Sequence, residues 1–271
     1  GVQFDVEKAK EIIGDGSQAS YSIPVTITQP TITEAVLRER LFRDTLARTA
    51  TNLNEGNAPR TNNVRLAAKA INGTILNPGD VFSYNTVVGE RTQARGYQEA
   101  HAYSGGKIID EFGGGVCQPS STLYMAVLRA DLEVVERHNH SFTVSYTPLG
   151  EDATVDYGNL DFRFANNTAY PIKILAEQTD GQMIMTIIGT KTSDKTVATR
   201  TEVLETYKPE TVEKQDSSLA AGETQVETSG ITGYSTRTYK VITENGKTTE
   251  VLANKSTYSK RDEVVCVGTG S

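Results

Sequence analysis

The sequence has little of what builds a disulfide scaffold, a zinc module or a membrane span. Its 271 residues include two cysteines, three histidines and no tryptophan. Cys117 and Cys266 lie too far apart in the chain for a zinc knuckle, and two cysteines do not make a disulfide framework. No apolar run approaches the roughly 18 residues that a membrane helix needs. The net charge of −7 argues against nucleic acid as a partner.

The first half of the chain carries helical patterns. Apolar residues recur at helical spacing over 4–13 and again over 33–53. Asn62-Asn63 are placed to cap a further helix over 64–71. Ser120-Ser121 are placed to start another one, which follows the glycine-rich stretch before Cys117.

The pattern then changes to that of a sheet. Apolar residues alternate over 134–147, which predicts a strand. Asp180-Gly181 separates two further strand patterns, 171–177 and 183–189, and so predicts a hairpin. Asn245-Gly246 is a second hairpin signal, in a C-terminal region that is rich in threonine and poor in bulky apolar residues.

Together these patterns predict an α+β central domain followed by an elongated all-β C-terminal module. The central domain combines a glycine loop, a cysteine and a helix with a mainly antiparallel sheet. The predicted boundaries are 1–54 for an N-terminal segment ending in a linker helix, 55–192 for the central domain, 193–203 for a linker and 204–271 for the all-β module.

Cys117 is the first candidate for chemistry. It follows Gly113-Gly114-Gly115 and lies shortly before the predicted helix start. A thiol at a helix N-terminus experiences the positive end of the dipole, which favours the thiolate. Backbone N–H groups of the glycines are placed to bind a developing oxyanion. The alternative is a small buried residue beside a tight turn.

His138 and His140 are the second candidate. Two residues apart in a predicted strand, they are expected to share one face, and a neutral imidazole can take the proton from Cys117. Asp152 follows a turn and can orient a histidine through its second ring nitrogen. The alternatives are an edge strand with incidental histidines and a zinc site formed with Cys117. The third histidine, His101, is expected to be structural.

Four stretches carry recognisable motifs, in this order in the chain: Asn77–Asn85, Gly113–Tyr124, Glu136–Ser141 and Asp152–Gly158. Together they resemble the signature of the VanW family. They cover about residues 55–190, and Pro119 departs from the small aliphatic residue expected there. A short N-terminal stretch, about 1–50, resembles the end of a peptidoglycan-binding domain, and the glycines of the tail resemble the five-glycine surface module.

The resemblance implies an extracellular protein on the cell-wall side of the membrane, anchored to that membrane outside this segment in the full-length protein. The family is associated with cysteine-dependent L,D-transpeptidases, which form 3-3 cross-links between diaminopimelate residues of peptidoglycan stem peptides. Cys117 is then the nucleophile, His140 the base and later acid, and Asp152 its orienting group. Residues assigned to substrate binding are His138, Arg137, Gly114, Gly115, Ser120 and Ser121.

The expected partners are stem peptides and glycan strands, without nucleic acid, metal or other cofactor. Spacing does not separate His138 from His140, and the choice of His140 follows the family motif. Two other functions stay open. One is an L,D-carboxypeptidase, in which water replaces the acceptor amine at the same site. The other is a wall-binding protein, in which Cys117 is buried and paired with no base.

Overall fold

The computed structural model of the chain describes residues 1–29, 33–104 and 107–270, and within 101–104 and 107–110 the backbone alone. The side chain of His101 therefore lies outside the described part. The chain divides into two compact units, Gly1–Leu41 and Phe42–Ser271. Within the described residues, none of the helices combines the length and the apolar character needed to cross a lipid bilayer.

The first unit is a small arrangement of two helices and a two-stranded ladder. Asp5 caps the first helix by accepting the N–H groups of Glu7 and Lys8, and that helix ends at Gly14, where φ is 52°. The elements are β1 (Val2–Gln3), α1 (Val6–Ile13), β2 (Thr26–Ile27), which pairs with β1, and α2 (Glu34–Arg40).

The helix predicted over 33–53 is wrong in its second half. It ends at Arg40, and β3 (Asp44–Asn52) follows it and belongs to the second unit. Ala47, Thr49 and Thr51 are buried, so the pattern of this segment has period two once the polar threonines are counted. The predicted 1–54 segment is therefore divided between the two units.

The second unit begins with an α+β region in which helices pack against antiparallel sheet. Its elements after β3 are α3 (Ala58–Ile71), β4 (Ile75–Leu76), β5 (Val81–Ser83), α4 (Tyr84–Val88), a 3-10 turn (Gln93–Arg95), β6 (Glu99–Ser104), β7 (Lys107–Phe112), α5 (Cys117–Arg129), β8 (Glu133–Glu136), β9 (Arg163–Ala165), β10 (Ile172–Thr179) and β11 (Gln182–Gly189).

One four-stranded sheet, in the order β3-β11-β10-β4, supports both long helices of this region. The β10–β11 pairing around Asp180-Gly181 confirms the predicted hairpin. Helix α5 packs on β3 and β11, and α3 packs on β10, with Val64, Leu123 and Ile174 fully buried between them. Burying side chains of this size stabilises the fold by roughly 1.5–3 kcal/mol each. Smaller sheets, β5-β9-β8 and β6-β7, complete the region.

The C-terminal region is all-β. Two three-stranded sheets, β12-β15-β16 and β13-β17-β14, contain one parallel pair, β13 with β17, and otherwise antiparallel pairs. The predicted hairpin at Asn245-Gly246 is confirmed by the β15–β16 pairing. The strands are β12 (Thr196–Tyr207), β13 (Thr211–Ala220), β14 (Thr224–Thr228), β15 (Gly233–Glu244), β16 (Lys247–Tyr258) and β17 (Glu263–Gly270).

Three further local predictions differ from the structure. Residues 193–203, predicted as a linker, contribute to β12, which pairs with β15 along most of its length. Helix α3 begins at Ala58, with Asn57 as its cap. The strand predicted over 134–147 is wrong beyond Glu136, because after β8 the chain keeps a single bridge, between His138 and Thr154.

Candidate active site

Cys117 is the first residue of α5 and is separated from the three glycines by Val116 alone. The sequence predicts a helix start at Ser120-Ser121, so the thiol is closer to the helix N-terminus than expected. Gly115 has a φ of 102°, a conformation in which other residues are strained. A Cβ on Gly115 would also lie 2.7 Å from Cγ of Arg60. The loop therefore requires glycine here both for its conformation and for its packing.

Buried polar side chains hold the glycine loop in place. Asn63 of α3 is fully buried, and its Nδ2 donates to the carbonyl oxygens of Gln98 (2.8 Å) and Gly114 (3.1 Å). The Tyr84 hydroxyl donates to the carbonyl oxygen of Val116 at 2.7 Å. Asn63, predicted to cap α3, is instead an interior residue of that helix that fixes the backbone before the thiol.

The Cys117 thiol is half-buried against the segment Thr154–Val155. Its Sγ lies 3.5 Å from the Thr154 hydroxyl, and the Val155 N–H donates to the sulfur over the same distance. Burial raises the pKa of the Cys117 thiol, but the hydrogen bond and charge of His140 and the Val155 N–H outweigh it. The net effect is a lowered pKa of Cys117, which favours the nucleophilic thiolate.

His140 connects this sulfur to a buried carboxylate. Its Nδ1 lies 2.7 Å from Oδ2 of Asp152, and its backbone N–H donates to the same oxygen at 2.7 Å. Burial lowers the pKa of His140, but the hydrogen bonds with Asp152 and Cys117 outweigh it and raise the pKa to about 9. The lowered pKa of Cys117 and the raised pKa of His140 both favour the thiolate–imidazolium pair over the neutral pair. The Tyr146 hydroxyl lies 3.4 Å from Nε2.

Asp152 is the most enclosed member of the group, with 1% of its side chain exposed. Besides His140, it accepts hydrogen bonds from Arg137 Nη2 (2.9 Å) and from the Tyr258 hydroxyl (2.5 Å). Burial raises the pKa of Asp152, but its interactions with His140 and Arg137 outweigh it and lower the pKa. The carboxylate is therefore ionised and fixed in orientation, as a group that holds an imidazole must be.

The two histidines have different surroundings, because the strand that was expected to align them does not form. His140 lies between Asp152 and Cys117. His138 is 40% exposed and pairs with Glu136 at 3.1 Å, in a cleft of about 380 Å³ between β8 and β16. The structure thus brings His140, and not His138, to the thiol.

Arg137 differs from its predicted role in substrate binding. Its side chain is 5% exposed, and all three guanidinium nitrogens are engaged within the protein. Nε donates to the Asp152 carbonyl oxygen at 2.6 Å, Nη2 to the Asp152 carboxylate, and Nη1 to the Ser256 hydroxyl at 2.7 Å. Arg137 is therefore a structural partner of Asp152, and its burial limits its contact with a substrate carboxylate.

Most of the other residues assigned to substrate binding are also engaged within the protein. Ser120 and Ser121 are fully buried, and Ser121 Oγ donates to the Cys117 carbonyl oxygen at 2.8 Å. The Gly114 N–H donates to the Glu111 carbonyl oxygen, so it cannot bind an oxyanion without losing that bond. Among the described hydrogen bonds, none uses the N–H of Gly115, which leaves it as a candidate oxyanion donor.

Three residues near the thiol were missed by the sequence analysis. Arg60 Nη2 donates to Gln118 Oε1 at 2.7 Å, and the guanidinium is close enough to interact electrostatically with Cys117 and Tyr146. Gln118 in turn donates to the Asn52 carbonyl oxygen at 2.8 Å. Gln118 lies within the stretch Gly113–Tyr124, next to Cys117. Arg60 and Tyr146 carry no local signal, since only the fold brings them to the site.

No metal site and no disulfide is found in the part of the chain that the structure describes. No group of three or more His, Cys, Asp or Glu side chains in that part is arranged to hold an ion. Cys117 and Cys266 are both free. Cys266 is buried in β17, with its sulfur 3.7 Å from Glu227 Oε2.

Comparison with known proteins gives two family matches. The model described as VanW like protein matches residues 59–188, and the G5 domain model matches 198–270. YoaR of Bacillus subtilis (strain 168) is 44% identical over 142 residues, 52% of this chain and 47% of YoaR. Vancomycin B-type resistance protein VanW of Enterococcus faecalis (strain ATCC 700802 / V583) is 29% identical over 134 residues, 48% of this chain and 49% of that protein.

Two solved structures of G5 domains match part of this chain. The IgA1 protease G5 domain covers 30% of this chain and 98% of its own, with 17% identity and a TM-score of 0.21. The HP0197-G5 crystal structure covers 28% of this chain and 100% of its own, with 19% identity and a TM-score of 0.18. The chain spans about half the length of the curated relatives it matches. It combines a VanW-like domain, homologous to YoaR and VanW, with a C-terminal G5 domain.

Proposed function

We propose that this protein is a cell-wall L,D-transpeptidase that uses Cys117 as its nucleophile. The observation that carries the proposal is the chain of contacts from Cys117 through His140 to the buried carboxylate of Asp152. A nucleophile, a base in contact with it and a buried orienting group are the arrangement used for acyl transfer. The relationship to the vancomycin-resistance protein VanW supports a cell-wall-associated role at a coarser level.

In the first half of the reaction, the Cys117 thiolate attacks the carbonyl carbon at the L-centre of diaminopimelate in a donor tetrapeptide. A C–S bond forms, and the Gly115 N–H donates a hydrogen bond to the developing oxyanion. The imidazolium of His140 gives its proton to the leaving nitrogen as the C–N bond breaks. D-Alanine departs, and a thioester on Cys117 remains.

In the second half, the side-chain amine of an acceptor diaminopimelate attacks the thioester. Neutral His140 takes a proton from that amine, a new C–N bond forms, and the C–S bond breaks to return the thiolate. The product is a 3-3 cross-link. The L,D-carboxypeptidase is the same sequence with water in place of the amine, and product analysis separates the two.

Substrate contacts outside the triad are fewer than the family resemblance implies. We keep the exposed His138, in its cleft beside Glu136, as a contact for the stem peptide or glycan. We propose that the G5 domain contributes further contacts with the wall. The expected location remains the outer side of the membrane, where stem peptides are found.

The test uses wild type, Cys117→Ala and, as a matched control, Cys266→Ala. Each is incubated with disaccharide tetrapeptide while protein mass and muropeptide products are followed. We expect an acyl adduct and cross-linked dimers with wild type and Cys266→Ala, and neither with Cys117→Ala. Shortened tripeptide without dimers would identify a carboxypeptidase. If Cys117→Ala makes the same products as wild type, the mechanism is wrong, and if no protein turns over the substrate, a wall-binding role replaces it.

A further inference from the structure

The G5 domain contributes a side chain to the group around Asp152. Tyr258, the last residue of β16, is 1% exposed. Its hydroxyl donates to Asp152 Oδ1 at 2.5 Å and accepts the N–H of Gly150 at 2.7 Å. The hydroxyl therefore bridges the carboxylate and the turn that precedes it, which fixes the carboxylate relative to its own backbone.

A second contact from the same strand holds the other partner of Asp152. Ser256 is buried, and its Oγ accepts Arg137 Nη1 at 2.7 Å while it donates to Asn254 Oδ1 at 2.9 Å. Asn254 Nδ2 in turn donates to the Gly150 carbonyl oxygen at 2.9 Å. Residues 254, 256 and 258 alternate along β16 and so face the same side, toward the VanW-like domain.

The loop that carries His140 is attached to the end of β16 on both sides. Before His140, Asn139 Nδ2 donates to the Thr257 carbonyl oxygen at 2.8 Å. After it, the Ser259 N–H donates to the Ser141 carbonyl oxygen at 2.7 Å. The position of the imidazole is thus set by bonds to the G5 domain as well as by its bond to Asp152.

We propose that Tyr258 is a positioning residue for the Cys117–His140–Asp152 group, supplied by the G5 domain. Because the hydroxyl and Arg137 occupy Oδ1, Oδ2 is left facing Nδ1 of His140. Without the hydroxyl, the carboxylate keeps its charge but loses one of the bonds that define its rotation. The imidazole then spends less time against the sulfur. The effect on turnover rests on the proposed function, whereas the effect on thiol reactivity does not.

The experiment measures Cys117 alkylation by iodoacetamide against pH in a Cys266→Ala background, which leaves one thiol. Tyr258→Phe removes the hydroxyl and keeps the ring. Tyr239→Phe is the matched control, because its hydroxyl lies in the same sheet and bonds to the exposed Glu202 at 3.2 Å. We expect Tyr258→Phe to move the midpoint of the profile to higher pH and to lower turnover about tenfold. Tyr239→Phe is expected to match wild type in both.

The outcomes separate this proposal from the proposed function. If Tyr258→Phe folds, by circular dichroism and thermal unfolding, and its alkylation profile equals that of wild type, the positioning role is wrong. If the profile moves while no protein forms cross-links, the positioning role stands and the transpeptidase fails. If Tyr258→Phe does not fold, Ser256→Ala takes its place, with the same direction expected and an unchanged profile in the folded variant overturning the proposal.

Discussion

Cys117 and Cys266 are the same side chain in two settings, one at the start of a helix and one within a strand. At Cys117, burial raises the pKa of the thiol, but His140 and the Val155 N–H outweigh it. At Cys266, burial raises the pKa and the nearby Glu227 carboxylate raises it further. The difference shows that enclosure alone makes a thiol less reactive. What makes Cys117 a candidate nucleophile is the cation beside it.

The largest expected effect is the loss of that cation. His140→Ala removes the group that stabilises the thiolate and carries the proton, so we expect turnover to fall by about 10⁴. Alkylation of Cys117 at pH 7 should fall toward that of Cys266. His138→Ala is the control, since His138 pairs with Glu136 away from the thiol, and we expect a much smaller change in turnover and none in alkylation. Equal losses in both variants would contradict the assignment of the base.

Asp152→Asn tests the orienting carboxylate at nearly constant volume. We expect turnover to fall by roughly 10³, because the amide no longer fixes the imidazole tautomer. Stability should fall by about 3–5 kcal/mol, since Arg137 is left as a buried cation without its carboxylate. Urea unfolding measures the second effect. Asp156→Asn, on the exposed turn after it, serves as the control and should be close to wild type in both measurements.

Gly115→Ala tests the loop before the thiol. The substitution forces a positive φ on alanine and places its Cβ 2.7 Å from Arg60, so we expect a loss of about 2–3 kcal/mol. Gly73→Ala is matched in φ, at 88°, and has open space around the new Cβ. It should lose only the conformational part, about 1 kcal/mol. Equal losses, measured by urea unfolding, would show that the contact with Arg60 is unimportant.

The smallest effect is a difference in pH dependence between the two thiols. The alkylation midpoint of Cys117 should lie below the ordinary thiol value and that of Cys266 above it. Above about pH 9 the His140 imidazolium loses its proton, so acylation should decline there even though the thiolate persists. In concentrated urea both midpoints should coincide. The Cys117–His140 pair also faces Asp152, Arg60 and Tyr146. If the alkylation midpoint of Cys117 were the same in urea as in the folded protein, these folded-state neighbours would have no effect on the thiol.

The contributions of Asp152 and His140 to stability change with pH in opposite directions. The pKa of Asp152 is lowered by folding, so its contribution is present above the ordinary carboxyl value and is lost as pH falls through the folded-state pKa. The pKa of His140 is raised, so its contribution is full below about 6.5 and is lost as pH rises through about 9. Thermal unfolding between pH 6 and 10 measures the second loss, which His140→Ala should abolish.

Local signals predicted the hairpins, because turn residues such as Asp180-Gly181 act through their own backbone conformation. The same kind of reasoning failed for Leu46. It continues a helical spacing from the residues before it, but the strand it belongs to is set by pairing with β11, far along the chain. Near the boundary of an element, pairing with such distant strands can decide the secondary structure against the local pattern.

For the site, the motifs were sufficient to identify Cys117, His140 and Asp152 as candidates, and not to find what surrounds them. Arg137 is a residue type that commonly binds carboxylates, and only the structure shows that its buried guanidinium is bonded to Asp152 and Ser256. Tyr258 lies in a different domain and in no motif. Because the hydrogen bond between the Tyr258 hydroxyl and the Asp152 carboxylate joins two domains, the local spacing of residues does not predict it.

The path of β16 bears on how such proteins can be recombined. A chain cut between the two family matches, at about residues 189–197, would separate Asp152 and Arg137 from Tyr258 and Ser256. The VanW-like half would keep Cys117, His140 and Asp152 and still lose hydrogen bonds at a buried carboxylate and a buried guanidinium. Exchanging either domain independently of the other would therefore disturb the hydrogen bonds around Asp152 and Arg137. A neighbour that replaced the G5 domain would have to present a hydroxyl at the same place.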